Sequence, residues 1–189
     1  TDYEPPEAHF SIYLDNPAEN IISCTAYARY GEETFSLATP ISCEDGFRDA
    51  SMENRILTAI QTYFQPAAVS GNEDSPVADA DFIISHDDQA AFLFLEQGLP
   101  HFYELAEVFI SSNMKRIRIL SAPRTAVGVS VSNGLLEIDV HSDSLPYEEL
   151  AGILNSYRRR QKYYKLKSGE FLKLENNSLS VLSELADGL

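Results

Sequence analysis

The chemistry most legible in this sequence is cationic. Arg158, Arg159, Arg160, Lys162, Lys165 and Lys167 lie close together and are interleaved with Tyr163 and Tyr164. Guanidinium and ammonium groups neutralise phosphates, and aromatic rings among them offer faces on which bases stack. The pattern suits a nucleic-acid surface, and it equally suits docking onto an acidic partner or a neighbouring domain. The bland alternative is a helix C-terminus, where cations are favoured by the macrodipole, with the two tyrosines divided between core and surface.

Other chemistries fail on count or spacing. His86-Asp87-Asp88 is the most metal-like cluster. A catalytic metal usually needs three protein ligands, often with a second His, and His9, His101 and His141 stand in no ligand-like spacing to it. The expected role of the cluster is a helix N-cap beside a solvated His. A metal-dependent hydrolase built around it is the weakest functional reading. A phosphate-cradling loop needs glycines before a helix and a Lys to reach the phosphates. No Gly-Lys pair occurs, and the five Lys are 115, 162, 165, 167 and 173. No GxSxG marks a nucleophile turn, and two Cys are too few for a Cys/His zinc site. Acidic residues are so plentiful before residue 100 that any paired-carboxylate proposal is arbitrary. The expectation is a segment with no catalytic residue, no metal and no cofactor of its own.

The elements that must position the cations come from a chain of 189 residues, 44% of them hydrophobic. That length fits one domain of roughly 100–200 residues, residues 1–189, or two lobes, 1–66 and 81–189, joined by a loop at 67–80. A core of this size needs no disulfide or metal staple. Cys24 and Cys43 suggest a reducing, cytoplasmic setting, each thiol unbridged and buried as a small hydrophobe. No basic stretch leads into an apolar run, so no signal peptide is read. The longest apolar run, Ala90 to Leu95, is far short of the ~20 residues of a membrane span, and no membrane partner is expected. The net charge of −15 is unevenly spread. Residues 1–100 hold 18 acidic and 3 basic side chains, and residues 101–189 hold 11 of each. Seven of the fourteen basic residues lie between Arg158 and Lys173. An acidic first half repels phosphates, which favours the bland reading of a soluble acidic surface with a locally basic helix end.

The pattern along the chain predicts an α+β fold, with antiparallel hairpins and a meander packed with about four helices. Residues 9–14, 21–30 and 34–37 read as strands, with Asn16-Pro17 and Gly31 as turns. Met52, Ile56, Ile60 and Tyr63 recur at helical spacing; Asp49 or Ser51 caps that helix and Pro66 stops it. A short strand at Asp81–Ser85 leads to a helix ending near Gly98-Leu99-Pro100, with Phe102–Leu105 able to add another turn. Strands follow at Glu107–Ser111 and Arg116–Leu120. Val127, Val129 and Val131 alternate with small residues ahead of Asn133-Gly134, and Leu136, Ile138 and Val140 alternate after it, a hairpin with a tight type I′ turn. Ser144 caps the next helix, with Pro146 in its first turn and a stripe of Leu150, Ile153, Leu154 and Tyr157. A hairpin turning at Ser168-Gly169 carries Tyr163, Tyr164 and Lys165 on one arm and Phe171–Leu174 on the other. Ser178 caps a last helix with Leu179, Leu182 and Leu185. Helix, hairpin and helix in that order is similar to part of a winged helix, without the two helices that should precede it.

Two stretches carry a family resemblance. Tyr157-Arg158-Arg159-Arg160-Gln161-Lys162-Tyr163-Tyr164-Lys165-Leu166, followed by Gly169-Glu170-Phe171, resembles the C-terminal signature of the bacterial Swi/Snf helicase-associated domain. That signature has a Tyr-Arg, a basic run, a Tyr-Tyr-x-Leu and a Gly-x-Phe turn; Ser168 stands where an acidic residue is common. Val127-Gly128-Val129 with Gly134-Leu135-Leu136 resembles the family's Val-Gly-Val…Gly-Leu-Leu stretch. The strand Phe10–Asp15 and the Tyr30-Gly31 step are compatible with it, and residues 124–174 are the specific part. The resemblance implies an accessory module of a DNA-dependent ATPase. Zinc would bind an upstream SWIM segment and ATP the motor lobes, neither of which maps onto these residues. It implies the motor domains of the same chain as partner, and DNA as a second. The alternative is a nucleic-acid- or protein-binding module unrelated to helicases.

Overall fold

Alternating burial builds the first sheet. The structure is a computed structural model, and it describes residues 6–68, 73–121, 126–141, 145–174, 179–180, 183–184 and 187–188. The chain falls into two units, Thr1–Arg116 and Ile117–Leu189. The charge divides with them: twenty acidic and five basic side chains give the first unit −15, and nine of each leave the second neutral.

In the first unit, β1 (Ala8–Ala18) and β2 (Ile21–Tyr30) form an antiparallel hairpin, and β3 (Glu33–Ser36) turns back on β2. Gly31 supplies the positive φ, +62°, that this second turn needs. Helix α1 (Ala50–Tyr63) follows, then β4 (Gln65–Pro66) and β5 (Phe82–Ser85). Asp49 is the cap, accepting the Met52 N–H at 3.0 Å. Next come α2 (Asp88–Leu93), a π turn (Phe94–Gly98), α3 (Leu99–Leu105) and β6 (Glu107–Ile110). The sheet runs β4-β5-β2-β1-β6. Ile12, Leu14, Ile22, Cys24, Ala26 and Ile84 are buried on one face. The helices bring Ile56, Ile60, Phe92, Phe94 and Phe102 to the core, with Phe64, Phe94 and Phe102 in mutual ring contact.

The α+β class holds, and three details of the sequence reading are corrected. The strand does not stop at Asn16-Pro17. A register shift between Asp15 and Ala18 absorbs the proline, as a bulge can, and the Asn16 amide donates to the carbonyls of Ala18 and Ile21. The turn comes later, at Asn20, with φ 60°. Nor does the helix end near Pro100. The Leu99 N–H reaches back five residues to the Phe94 carbonyl; this widened turn accommodates a proline that lacks an N–H, and the helix continues to Leu105. Asp88–Leu105 is thus one helical run, so three helices are described in full rather than about four. Finally, the sheets are mixed, since β6 pairs in parallel with β1.

The loop before α1 holds a buried ionic network. The Arg48 side chain, 2% exposed, meets Glu53 and Asp45 at 2.7 Å each and lies 4.3 Å from the centre of the Phe35 ring. The Tyr30 hydroxyl donates to Glu53 at 2.6 Å and accepts the Asp49 N–H at 2.9 Å. Glu53 holds the Arg48 guanidinium above its ordinary value, with burial opposing. Burial, and then the bond to Glu53, push the Tyr30 phenol up to about 12 from 10.0. A neutral group with a raised folded value stabilises the fold fully below its unfolded value, and that contribution is lost as pH rises through the folded value. The urea midpoint should therefore fall between about pH 10 and 12, and in a Tyr30→Phe variant the fall over that window should be shallower. Burial also pushes the Cys24 thiol up, so part of the alkaline loss persists in that variant. Both cysteines are free, but Cys43 is exposed and not the buried hydrophobe expected.

The second unit contains β7 (Ile119–Ser121), β8 (Ala126–Ser132), β9 (Leu135–His141), α4 (Leu150–Arg158), β10 (Tyr163–Lys165) and β11 (Phe171–Lys173). Strands β8 and β9 pair in the expected register, with φ 53° at Asn133 and 77° at Gly134, as a type I′ turn requires. The other sheet runs β10-β11-β7, its last pair parallel. Helix α4 is preceded by a 3-10 turn, Tyr147–Glu149, with Pro146 at its cap. Ile153 and Leu154 pack with Leu145, Leu166, Leu172, Leu174 and Leu179. Residues 179–180, 183–184 and 187 are helical; the expected caps Ser144 and Ser178, and Leu182 and Leu185, lie outside the described residues.

Candidate nucleic-acid interface at the basic helix end

The cations begin where α4 stops. The Arg160 N–H donates to the Tyr157 carbonyl at 2.9 Å and the Gln161 N–H to the Ser156 carbonyl at 3.1 Å. This pair of bonds is a Schellman closure, whose left-handed residue is usually Gly. Here it is Arg160, with φ 57°. A side chain in that conformation costs about 1 kcal/mol. Arg160→Gly should raise the stability of this unit by about 0.5–1 kcal/mol in urea titration, while Arg160→Ala should not.

The eight cationic and aromatic residues of the stretch take different places. Arg158 is an anchor: its Nε donates to the Ser183 hydroxyl at 3.1 Å and its Nη2 meets Asp187 at 2.8 Å. Arg159, Arg160, Lys162 and Lys167 are exposed, and among the described residues their side chains have no ion-pair partner. Arg160, Gln161 and Lys162 border a shallow cleft that also touches Tyr157, Leu174 and Ser183. Tyr163 is half-buried, edge-on to Phe171 at 5.4 Å, and the Lys165 ammonium lies 5.7 Å from the centre of that same ring. Tyr164 lies over Gly152, where a Cβ would come within 2.9 Å of its hydroxyl.

Sequence reasoning missed what orients this hairpin. Glu149 stands at the N-terminus of α4, and its carboxylate is buried, 7% exposed, and accepts the Lys167 N–H at 2.8 Å. It also bonds the Tyr164 hydroxyl, whose pKa is raised by burial first and then by the Glu149 charge. No local signal could reveal a bond spanning eighteen residues. One carboxylate thus ties the hairpin turn to the start of α4 and sets where the cations project.

At the other cluster, Asp87 caps α2 by accepting the Ala90 N–H at 3.0 Å, and the His86 N–H donates to the Asn20 carbonyl at 2.8 Å. Among the described residues, no group of three or more His, Cys, Asp or Glu side chains is placed to hold a metal ion, and no helix is long and apolar enough to cross a membrane.

These features define a two-unit α+β protein, acidic in its first unit, that presents a solvent-facing cationic helix end in its second. The chain belongs to the bacterial SNF2 helicase associated family, whose model matches residues 1–189. No curated protein and no solved structure matches it.

Proposed function

We propose that this chain is a non-catalytic accessory module of a bacterial SNF2-type ATP-dependent DNA translocase or helicase, and that Arg159, Arg160, Lys162 and Lys167 hold duplex phosphates for the motor. Family membership supports the first part. The second rests on exposed Arg159, Arg160 and Lys162 between the end of α4 and the start of β10, with exposed Lys167 in the turn of the following hairpin. Phosphate contacts of this kind add affinity without sequence preference, which suits a motor that moves along DNA. ATP and zinc belong to other segments of the parent protein, whose motor lobes are the module's partner in the same chain, and the setting is cytoplasmic.

The test uses the intact parent. An Arg159→Gln/Arg160→Gln/Lys162→Gln variant should need at least about tenfold more DNA for half-maximal ATP hydrolysis, with the rate at saturating DNA unchanged. Arg158 is left in place, because it holds Ser183 and Asp187. An unchanged DNA requirement would overturn the phosphate reading and favour docking of the cations on an acidic surface of the motor.

A further inference from the structure

The outward face of the first unit's sheet carries a cluster that DNA contact by the second unit leaves unused. Alternation turns Ile12, Leu14 and Cys24 into the core and sends Tyr13, Asp15 and Thr25 the other way. Tyr13 stands opposite Phe109 in the parallel β1–β6 pair. Their rings stack at 4.8 Å with 13° between planes, and Tyr27 meets Tyr13 edge-on at 5.9 Å. Tyr13 is 45% and Phe109 41% exposed, so both rings keep wet surface. Asp15 and Asp79 line the cleft beside them, and exposed Glu107 precedes Phe109 by two residues on the same strand.

Two kinds of ligand favour aromatic sheet faces: unstacked bases and cations. Bases bring phosphates, which need positive charge, whereas this unit carries −15 and the cleft is lined by carboxylates. A guanidinium satisfies both features, because it stacks on rings and pairs with carboxylates through its planar fork. We propose that the face around Tyr13 and Phe109 docks an arginine-bearing basic segment of a protein partner. This goes beyond the DNA reading, since it concerns the other unit and the opposite ligand charge, and either can fail alone.

The test is a titration of the full 189-residue chain at physiological salt with three labelled probes: an Arg-Gly repeat peptide, a Lys-Gly peptide of equal charge, and a single-stranded RNA. The Arg peptide should bind about tenfold more tightly than the Lys peptide. A Tyr13→Ser/Phe109→Ser variant, which keeps every charge, should lose that preference and retain the weak Lys-peptide affinity. Asp79→Asn, which keeps every ring, should weaken the Arg peptide several-fold. Should the double variant fail to fold by circular dichroism, Phe109→Leu keeps apolar bulk and should reduce the preference by itself. Equal affinity for the two peptides would overturn the proposal, leaving only diffuse attraction to an acidic protein. So would an Arg preference that survives loss of the rings, absence of binding to either peptide, or RNA binding that depends on the rings.

Discussion

Glu53→Ala should destabilise the first unit by about 3–5 kcal/mol, because it leaves the Arg48 guanidinium buried without its main partner. Arg48 is covered by its own loop and the Phe35 ring, and Asp45, at its rim, remains as the only other carboxylate bonded to it among the described residues. The same change removes the acceptor of the Tyr30 hydroxyl. Tyr30 also accepts the N–H of Asp49, the residue that caps α1, so the damage should spread to the helix start. Hydrogen exchange should accelerate first at the Met52 and Glu53 amides, which are bonded to Asp49. A buried ion pair is often matched or improved by apolar residues of similar volume. An Arg48→Met/Glu53→Leu double variant should therefore regain much of the loss. A cost below about 1 kcal/mol for Glu53→Ala would show that the pair is open to water and behaves like a surface bridge.

Glu149→Ala should cost the second unit about 2 kcal/mol, since it strips a charged acceptor from two partly buried donors at once. The Lys167 N–H and the Tyr164 hydroxyl both end on this carboxylate. Loss of protection at the Lys167 amide is the specific readout, because a general loosening would not start there. Glu149→Gln keeps an acceptor and should lose less. Removal of the charge should also let the Tyr164 phenol fall back toward its ordinary value, since Glu149 holds it up after burial. An unaltered Lys167 amide in Glu149→Ala would mean that the hairpin is held by its apolar contacts alone.

Local signals in the sequence were reliable where the physics is local. Asn133-Gly134 fixed a two-residue turn because both positions require φ > 0. Asp49 and Asp87 were readable as caps because a cap bonds an amide three residues on. Pro100 misled because the penalty for an internal proline assumes an ordinary helix, and a π turn beforehand removes it. Pro17 misled for a similar reason, sitting where the ladder already shifts. The parallel pairs β1–β6 and β11–β7 were out of reach, since no turn chemistry announces a partner about a hundred or fifty residues away.

The basic stretch was legible as composition, but its division of labour was not. Arg158, Arg159 and Arg160 are alike in sequence. The helix phase turns Arg158 to Ser183 and Asp187, while the Schellman closure swings Arg160 into the left-handed region and out toward water. Glu149 and Glu53 were not read as buried because a buried carboxylate is recognisable only by what surrounds it: Lys167 lies eighteen residues from Glu149, and Tyr30 lies twenty-three from Glu53, although Arg48 is only five away.

The most direct test of the DNA reading is fluorescence anisotropy of labelled duplex DNA against this chain, from low to physiological salt, beside the Arg159→Gln/Arg160→Gln/Lys162→Gln variant. If three phosphate contacts are lost, the slope of log affinity against log salt should become shallower by about two to three. The variant should bind more weakly at every salt concentration, with the fold unchanged by circular dichroism. Identical slopes and affinities for the two proteins, or no binding by either at low salt, would contradict the assignment of these cations to DNA.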